Sequence, residues 1–154
     1  MKRFQFTLES LLQWRRSHRD ARRQALASAL HQVATLQRQQ EALVLDHNRQ
    51  QKELRRLSAQ PRLDVPGCLA LRSHLEHLAG ELEVNRRESA LAAENLEQCR
   101  AALVEAEQAV KGLEKLSASR QAELILQQER QLELDQEEAW RALSRNRAVT
   151  GAIP

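Results

Sequence analysis

Between Leu26 and Leu57, and again between Leu71 and Leu113, packing side chains return every seven residues. In the first stretch the a positions are Leu26, Val33, Gln40, His47 and Leu54, and the d positions are Ala29, Leu36, Leu43, Gln50 and Leu57. In the second the a positions are Leu75, Leu82, Ser89, Leu96, Leu103 and Val110. Its d positions are Leu71, Leu78, Asn85, Ala92, Cys99, Ala106 and Leu113. A repeat sustained this long keeps one stripe of a helix facing a partner helix and predicts a coiled coil. Composition agrees: Tyr is absent, Phe and Trp number two each, and Gly and Pro together number seven. That leaves little aromatic material for a globular core and suits long helices.

No Pro or Gly interrupts residues 4–60, and the break comes at PRLDVPG, residues 61–67. Two prolines, an aspartate and a glycine in seven residues read as a turn. The expected fold is therefore all-α: an antiparallel two-helix coiled-coil hairpin forming one elongated domain over 1–154. Helix one covers about 8–58, the turn 59–67, and helix two about 68–147. Thr7 is the expected N-cap of helix one, with Phe6 and Leu11 forming a hydrophobic staple and Glu9 facing the helix dipole. Stacking a against d places Leu54 opposite Leu71, His47 opposite Leu78, Val33 opposite Ala92 and Leu26 opposite Cys99. Gln40 then falls opposite Asn85, a polar layer of the kind that specifies register at some cost in stability. In this register residue 5 meets residue 120, so the rest of helix two overhangs, carrying Leu124, Ile125, Leu126, Leu132, Leu134 and Trp140.

The formal charge of +3 hides an uneven distribution. Residues 1–23 carry seven basic side chains against Glu9 and Asp20, and residues 121–141 carry six acidic against Arg130 and Arg141. The heptad frame, extended back, puts Arg19 at a and Arg15 and Arg22 at d, where apolar side chains belong. A shifted frame would instead turn Leu11, Trp14, His18 and Ala21 inward, so the seam is expected to zip weakly between residues 13 and 25. Arg15, Arg16, Arg19, Arg22 and Arg23 form a basic cluster with no recognition motif beside it, so nucleic acid is not an expected partner.

Other chemistry is sparse. His74 and His77 lack a third ligand at metal-site spacing and read as a solvated face. Gly80 and Gly112, isolated in helix two, mark soft or closely packed points. Cys68 and Cys99 would lie about 46 Å apart along one helix and cannot bridge. There is no glycine-rich phosphate loop, no cofactor is expected, and a structure two helices wide offers no place for a nucleophile, base and orienting group to converge. Enzymatic activity is not expected. Neither a signal peptide nor an apolar run of membrane-spanning length is present, so the expected location is cytoplasmic.

The head KRFQFTLESLL with its arginine-rich continuation resembles the start of the FliJ family, a soluble component of flagellar type III export. VKGLEKL at Val110–Leu116 and ERQLELDQEEA around Asp135 add to the resemblance, which covers almost the whole chain. Gln136 stands where the family often has Glu, Gly112 interrupts the VKGLEKL segment, and the head is richer in arginine than usual. The resemblance implies a stalk seated in a hexameric export ATPase ring. It also implies attachment to the cytoplasmic domain of the export gate protein, escort of export chaperones, and peripheral association with the inner membrane at the flagellar base. Matching the family's pattern assigns gate binding to Leu71, Leu75, Leu78 and Leu82. Ring binding is expected at Arg15, Arg16, Arg19, Arg22 and Arg23 together with Leu134, Asp135 and Trp140. The injectisome stalk shares this architecture, and a generic coiled-coil scaffold dimerising through its overhang is the alternative from another class.

Overall fold

The computed structural model describes residues 8–150, with side-chain placement through Arg145. It is all-α: helix α1 spans Glu9–Ser58 and helix α2 spans Val65–Thr150. The expected cap Thr7 and its neighbour Phe6 lie outside the described residues. Glu9 does sit in the first turn of α1, where its carboxylate also accepts a hydrogen bond from Gln13 Nε2 at 3.0 Å. The chain divides into two compact units, one formed by Ser17–Glu107 and the other by Met1–Arg16 with Gln108–Pro154.

Within Ser17–Glu107 the helices run antiparallel around a short turn. Helix α1 closes at Ser58, whose hydroxyl donates back to the Leu54 carbonyl at 2.7 Å. The Ala59 and Gln60 amides make the last backbone bonds of the turn, to the Arg55 and Leu57 carbonyls. Gln60 precedes Pro61, and a residue before proline is pushed out of helical geometry. Arg55 and Arg56 stand in the last turn, where positive charge complements the helix dipole.

Helix α2 begins at Val65, three residues before the expected start. Asp64 is its cap: the Gly67 amide donates to Asp64 Oδ1 at 3.1 Å, and the Cys68 amide donates to the Asp64 carbonyl at 3.0 Å. The Pro–Gly pair at 66–67 suggests a turn in sequence. Yet a first helical turn tolerates proline, whose missing N–H has no intrahelical partner there anyway. Gly67 has a steric role as well, since a Cβ at that position would overlap the capping carboxylate. No residue with positive φ is needed among the described residues, so the turn is made by capping and proline alone.

The seam follows the seven-residue frame closely. Ala29, Leu36, Leu78, Ala92, Leu96 and Ala106 are buried, and the remaining a and d positions from Leu26 to Leu57 and from Leu71 to Leu103 are half-buried, apart from the fully buried Asn85. Asn85 is only 4% exposed, and its Nδ2 donates to the Leu36 carbonyl at 3.2 Å, while Ser89 Oγ lies 3.5 Å from its Oδ1. Asn85 is thus a buried polar group of the seam, held by backbone on the facing helix and by its own helix rather than by the Gln40 amide. In the other unit, Leu12 and Val110 are buried together, with Leu8 and Leu113 packed against them. Leu11 and Trp14 are exposed at 39% and 55%, so the frame with Arg15 and Arg19 on the seam side holds and the shifted one does not.

Gly80 and Gly112 are neither close-packed nor strained: a Cβ at either would meet nothing within 4 Å. Replacing either by Ala should raise stability by up to about 1 kcal/mol, because helical glycine costs backbone entropy. Gly67→Ala should lower it, and thermal denaturation separates the two signs. Asn85→Leu should stabilise the chain by roughly 1 kcal/mol while relaxing register, since the facing carbonyl keeps its own helical donor. Cysteines at 40 and 85, with Cys68 and Cys99 replaced by Ser, should crosslink under mild oxidation. Preferred crosslinking of 40 to 78 or to 92 is the opposing result.

Candidate functional site

Three surfaces concentrate unusual chemistry, and the arginines of α1 are the first. In the unit containing Met1–Arg16, Arg16 Nη2 reaches Glu114 Oε1 on α2 at 2.9 Å. Arg15 stays on its own helix, its guanidinium 5.0 Å above the Trp14 ring, a cation–π contact. Within Ser17–Glu107, Arg23 Nη2 reaches Glu107 Oε1 at 3.2 Å. Arg19 turns its guanidinium to the adjacent Asp20, with Nη2 3.0 Å from Oδ1, and Arg22 Nε donates to His18 Nε2 at 3.4 Å.

The heptad explains this division. Arg16, Arg23, Glu107 and Glu114 all take position e, which flanks the seam and faces its counterpart in an antiparallel pair. Arg15, Arg19 and Arg22 take seam positions, where a guanidinium cannot be left among apolar groups. Arg15 and Arg19 are half-buried, as long stems that cover the seam while their heads leave it would be, and Arg22 is exposed. Arg19 retains 21% side-chain exposure, intermediate between a core residue and a free surface arginine. Between residues 13 and 25 no side chain of α1 is buried.

The second surface is a groove across the hairpin of Ser17–Glu107. Its floor includes Ala42 and Leu43 from α1 and Gly80 and Val84 from α2, and Glu76, Glu81 and Glu88 stand along it. Two small residues, Ala42 of α1 and Gly80 of α2, are among its lining, and a Cβ at Gly80 would meet nothing within 4 Å. Val84 is 54% exposed there. His77 points its Nε2 toward Glu81 Oε1, 3.4 Å away, and His74 Nε2 lies 3.6 Å from Asp46 Oδ2 on the facing helix, so the two histidines do not converge. Among the described residues no three His, Cys, Asp or Glu side chains are grouped to hold a metal.

The four leucines expected to bind a partner line the seam beside this groove. Leu78 is 3% exposed, and Leu71, Leu75 and Leu82 are half-buried. Surrendering Leu78 to a partner would forfeit burial worth about 1.5–3 kcal/mol. Leu71, Leu75 and Leu82 retain exposed edges. The exposed Val84 and the absent side chain of Gly80 were not singled out by the heptad, which marks what is hidden and is silent about what is left open.

The third surface is the tail of α2, in the unit containing Gln108–Pro154. From Ile125 to Arg145 every described side chain is exposed. Leu132 is 60% exposed, Leu134 55%, Trp140 70% and Leu143 67%. Asp135 accepts from Gln131 Nε2 at 3.0 Å, and Arg141 pairs with Glu137 at 3.3 Å, both one turn along the same helix. Ile125, Leu132 and Leu143 share one face, set roughly a third of a turn from the seam at 3.6 residues per turn. The helices among the described residues include none long and apolar enough to cross a membrane.

The cross-helix pairs are solvent-exposed, so each should contribute under about 1 kcal/mol. Arg16→Gln and Arg23→Gln should each leave the denaturation midpoint nearly unchanged, and a large fall in either would mean that the pair holds the helices together. Comparison of the chain with family models, with curated proteins and with solved structures finds no match to any of them.

Proposed function

We propose that this chain is a non-enzymatic stalk and chaperone-escort component of a type III protein export apparatus, of the flagellar kind that its sequence resembles. The observation that carries the proposal is the unit containing Met1–Arg16 and Gln108–Pro154. There a short stretch of α1 packs on α2 through Leu12 and Val110, and α2 continues as a helix whose acidic and apolar side chains are all exposed from Ile125 to Arg145. A helix that presents Leu132, Leu134 and Trp140 to solvent is suited to enter a partner's cavity.

In this reading the tail of α2, with Leu134, Asp135 and Trp140, enters a hexameric ATPase ring. Arg15, Arg16, Arg19, Arg22 and Arg23 meet acidic loops of the ring and set on-rate and orientation more than affinity. The groove beside Gly80 and Val84, with the exposed edges of Leu71, Leu75 and Leu82, takes the cytoplasmic domain of the gate protein. That attachment would hold the chain peripherally at the inner membrane, at the base of a flagellum or an injectisome. Export chaperones are further partners, and no nucleic acid is required.

A second reading, a coiled-coil scaffold that dimerises, draws on the shared face of Ile125, Leu132 and Leu143. Sedimentation separates the two: a tight homodimer without effect on an export ATPase favours the scaffold.

Replacing Arg16, Arg19 and Arg23 together by Gln should reduce ATPase stimulation severalfold at low salt and less at high salt, because exposed charges are screened beyond about 10 Å at 0.1 M. Gate binding should survive that change. Deleting residues 124–154 should abolish ring binding and leave the Ser17–Glu107 helices folded by circular dichroism. Full stimulation by the truncated chain would refute the assignment of the tail to the ring.

A further inference from the structure

The turn of the hairpin in Ser17–Glu107 carries an apolar cluster that neither the seam nor the export reading uses. Leu63 is 57% exposed, Val65 51% and Leu69 61%, and all three line one groove over Leu54 and Cys68. The capping of α2 by Asp64 explains why they are outside. Once Asp64 folds back onto the Gly67 amide, Val65 becomes the first helical residue, and Leu69 follows one turn later, away from the a and d positions.

The surroundings of this cluster are basic. From Lys52 to Arg72 the chain has Lys52, Arg55, Arg56, Arg62 and Arg72 against Glu53 and Asp64. Both acids are already engaged. Asp64 accepts from the Gly67 amide, and Glu53 is gripped by Arg56 at 2.6 and 2.8 Å, a hydrogen-bonded pair that lowers its pKa. The side chains of Lys52, Arg55, Arg62 and Arg72 have no hydrogen-bond or ion-pair partner among the described residues. Arg72 itself borders the apolar groove.

From this juxtaposition we infer that the turn end of the hairpin binds directly to an anionic lipid surface, Leu63, Val65 and Leu69 entering the headgroup–acyl boundary and the basic side chains meeting lipid phosphates. The charge rim selects the occupant. A second copy of this end would set like charges face to face, whereas phosphates match the arginine fork. Three apolar side chains on a tight turn form a shallow wedge, enough to enter the interface and far too small to span. Each basic side chain near such a surface strengthens partitioning about fivefold, so contact needs both the charge and the wedge. The inference is independent of the export reading, in which membrane attachment runs through the gate protein.

The test is sedimentation of the full chain with vesicles of phosphatidylcholine containing about one-third phosphatidylserine, against phosphatidylcholine alone. Binding should be at least tenfold tighter to the anionic vesicles and should fall as salt rises. Arg62→Gln with Arg72→Gln should weaken it about twentyfold, and Leu63→Gln with Leu69→Gln about tenfold, with helicity unchanged. Arg38→Gln with Arg100→Gln, which lie outside this end, should leave it as it was. With Trp14→Phe and Trp140→Phe in place, Leu69→Trp should shift its emission to the blue on adding anionic vesicles. Equal binding to both vesicle types, or full binding by the turn variants, overturns the inference. So does salt-sensitive binding to soluble polyglutamate without any blue shift on vesicles, which would assign this end to an acidic protein surface.

Discussion

Two helices can hide only one line of side chains between them, and nearly everything else about this chain follows from that limit. Among the described residues the buried set is Leu12, Ala29, Leu36, Leu78, Asn85, Ala92, Leu96, Ala106 and Val110. Each unit is held by its own short section of seam, and a fully buried leucine or valine contributes about 1.5–3 kcal/mol relative to exposure. Among the described residues burial is confined to that line. Chemistry has to be written on the outside, as charge, as open grooves and as apolar side chains left without a partner.

The arginines show how far the seam tolerates compromise. A guanidinium at a or d would be costly if buried, yet the stems of Arg15, Arg19 and Arg22 are long enough for the heads to find Trp14, Asp20 and His18 on the same helix. The e-position arginines behave differently and cross to Glu114 and Glu107. Such pairs add little to stability in water, but they penalise a slipped register that would set arginine against arginine. Specificity is gained where stability is not.

The seven-residue period made the seam legible from sequence because burial in a coiled coil depends on spacing more than on residue type. Gln40, His47 and Ser89 are half-buried in it as surely as the leucines. The start of α2 was less legible. Proline and glycine usually signal a turn, and only the Asp64 cap reveals that here they form the first helical turn. The partner of Asn85 was inaccessible for a related reason, since a backbone carbonyl on the facing helix has no signature in sequence. The groove beside Gly80 is lined from both helices, so neither stretch of sequence outlines it alone. Spacing rules identify what packs, and open space appears only when both helices are placed together.

The tail of α2 stands in a different thermal regime from the seam. From Ile125 to Arg145 no described side chain is buried, so this stretch remains helical through its glutamine, glutamate, leucine, alanine and arginine content and a few contacts one turn apart. Helices held by propensity alone unwind gradually on warming and exchange between helix and coil in about 0.1–1 μs. The tail should therefore lose ellipticity progressively while the seam still melts as a cooperative transition. A ligand that closes around it would find the helix already formed in part of the population, and the ordering it imposes would be small and quick.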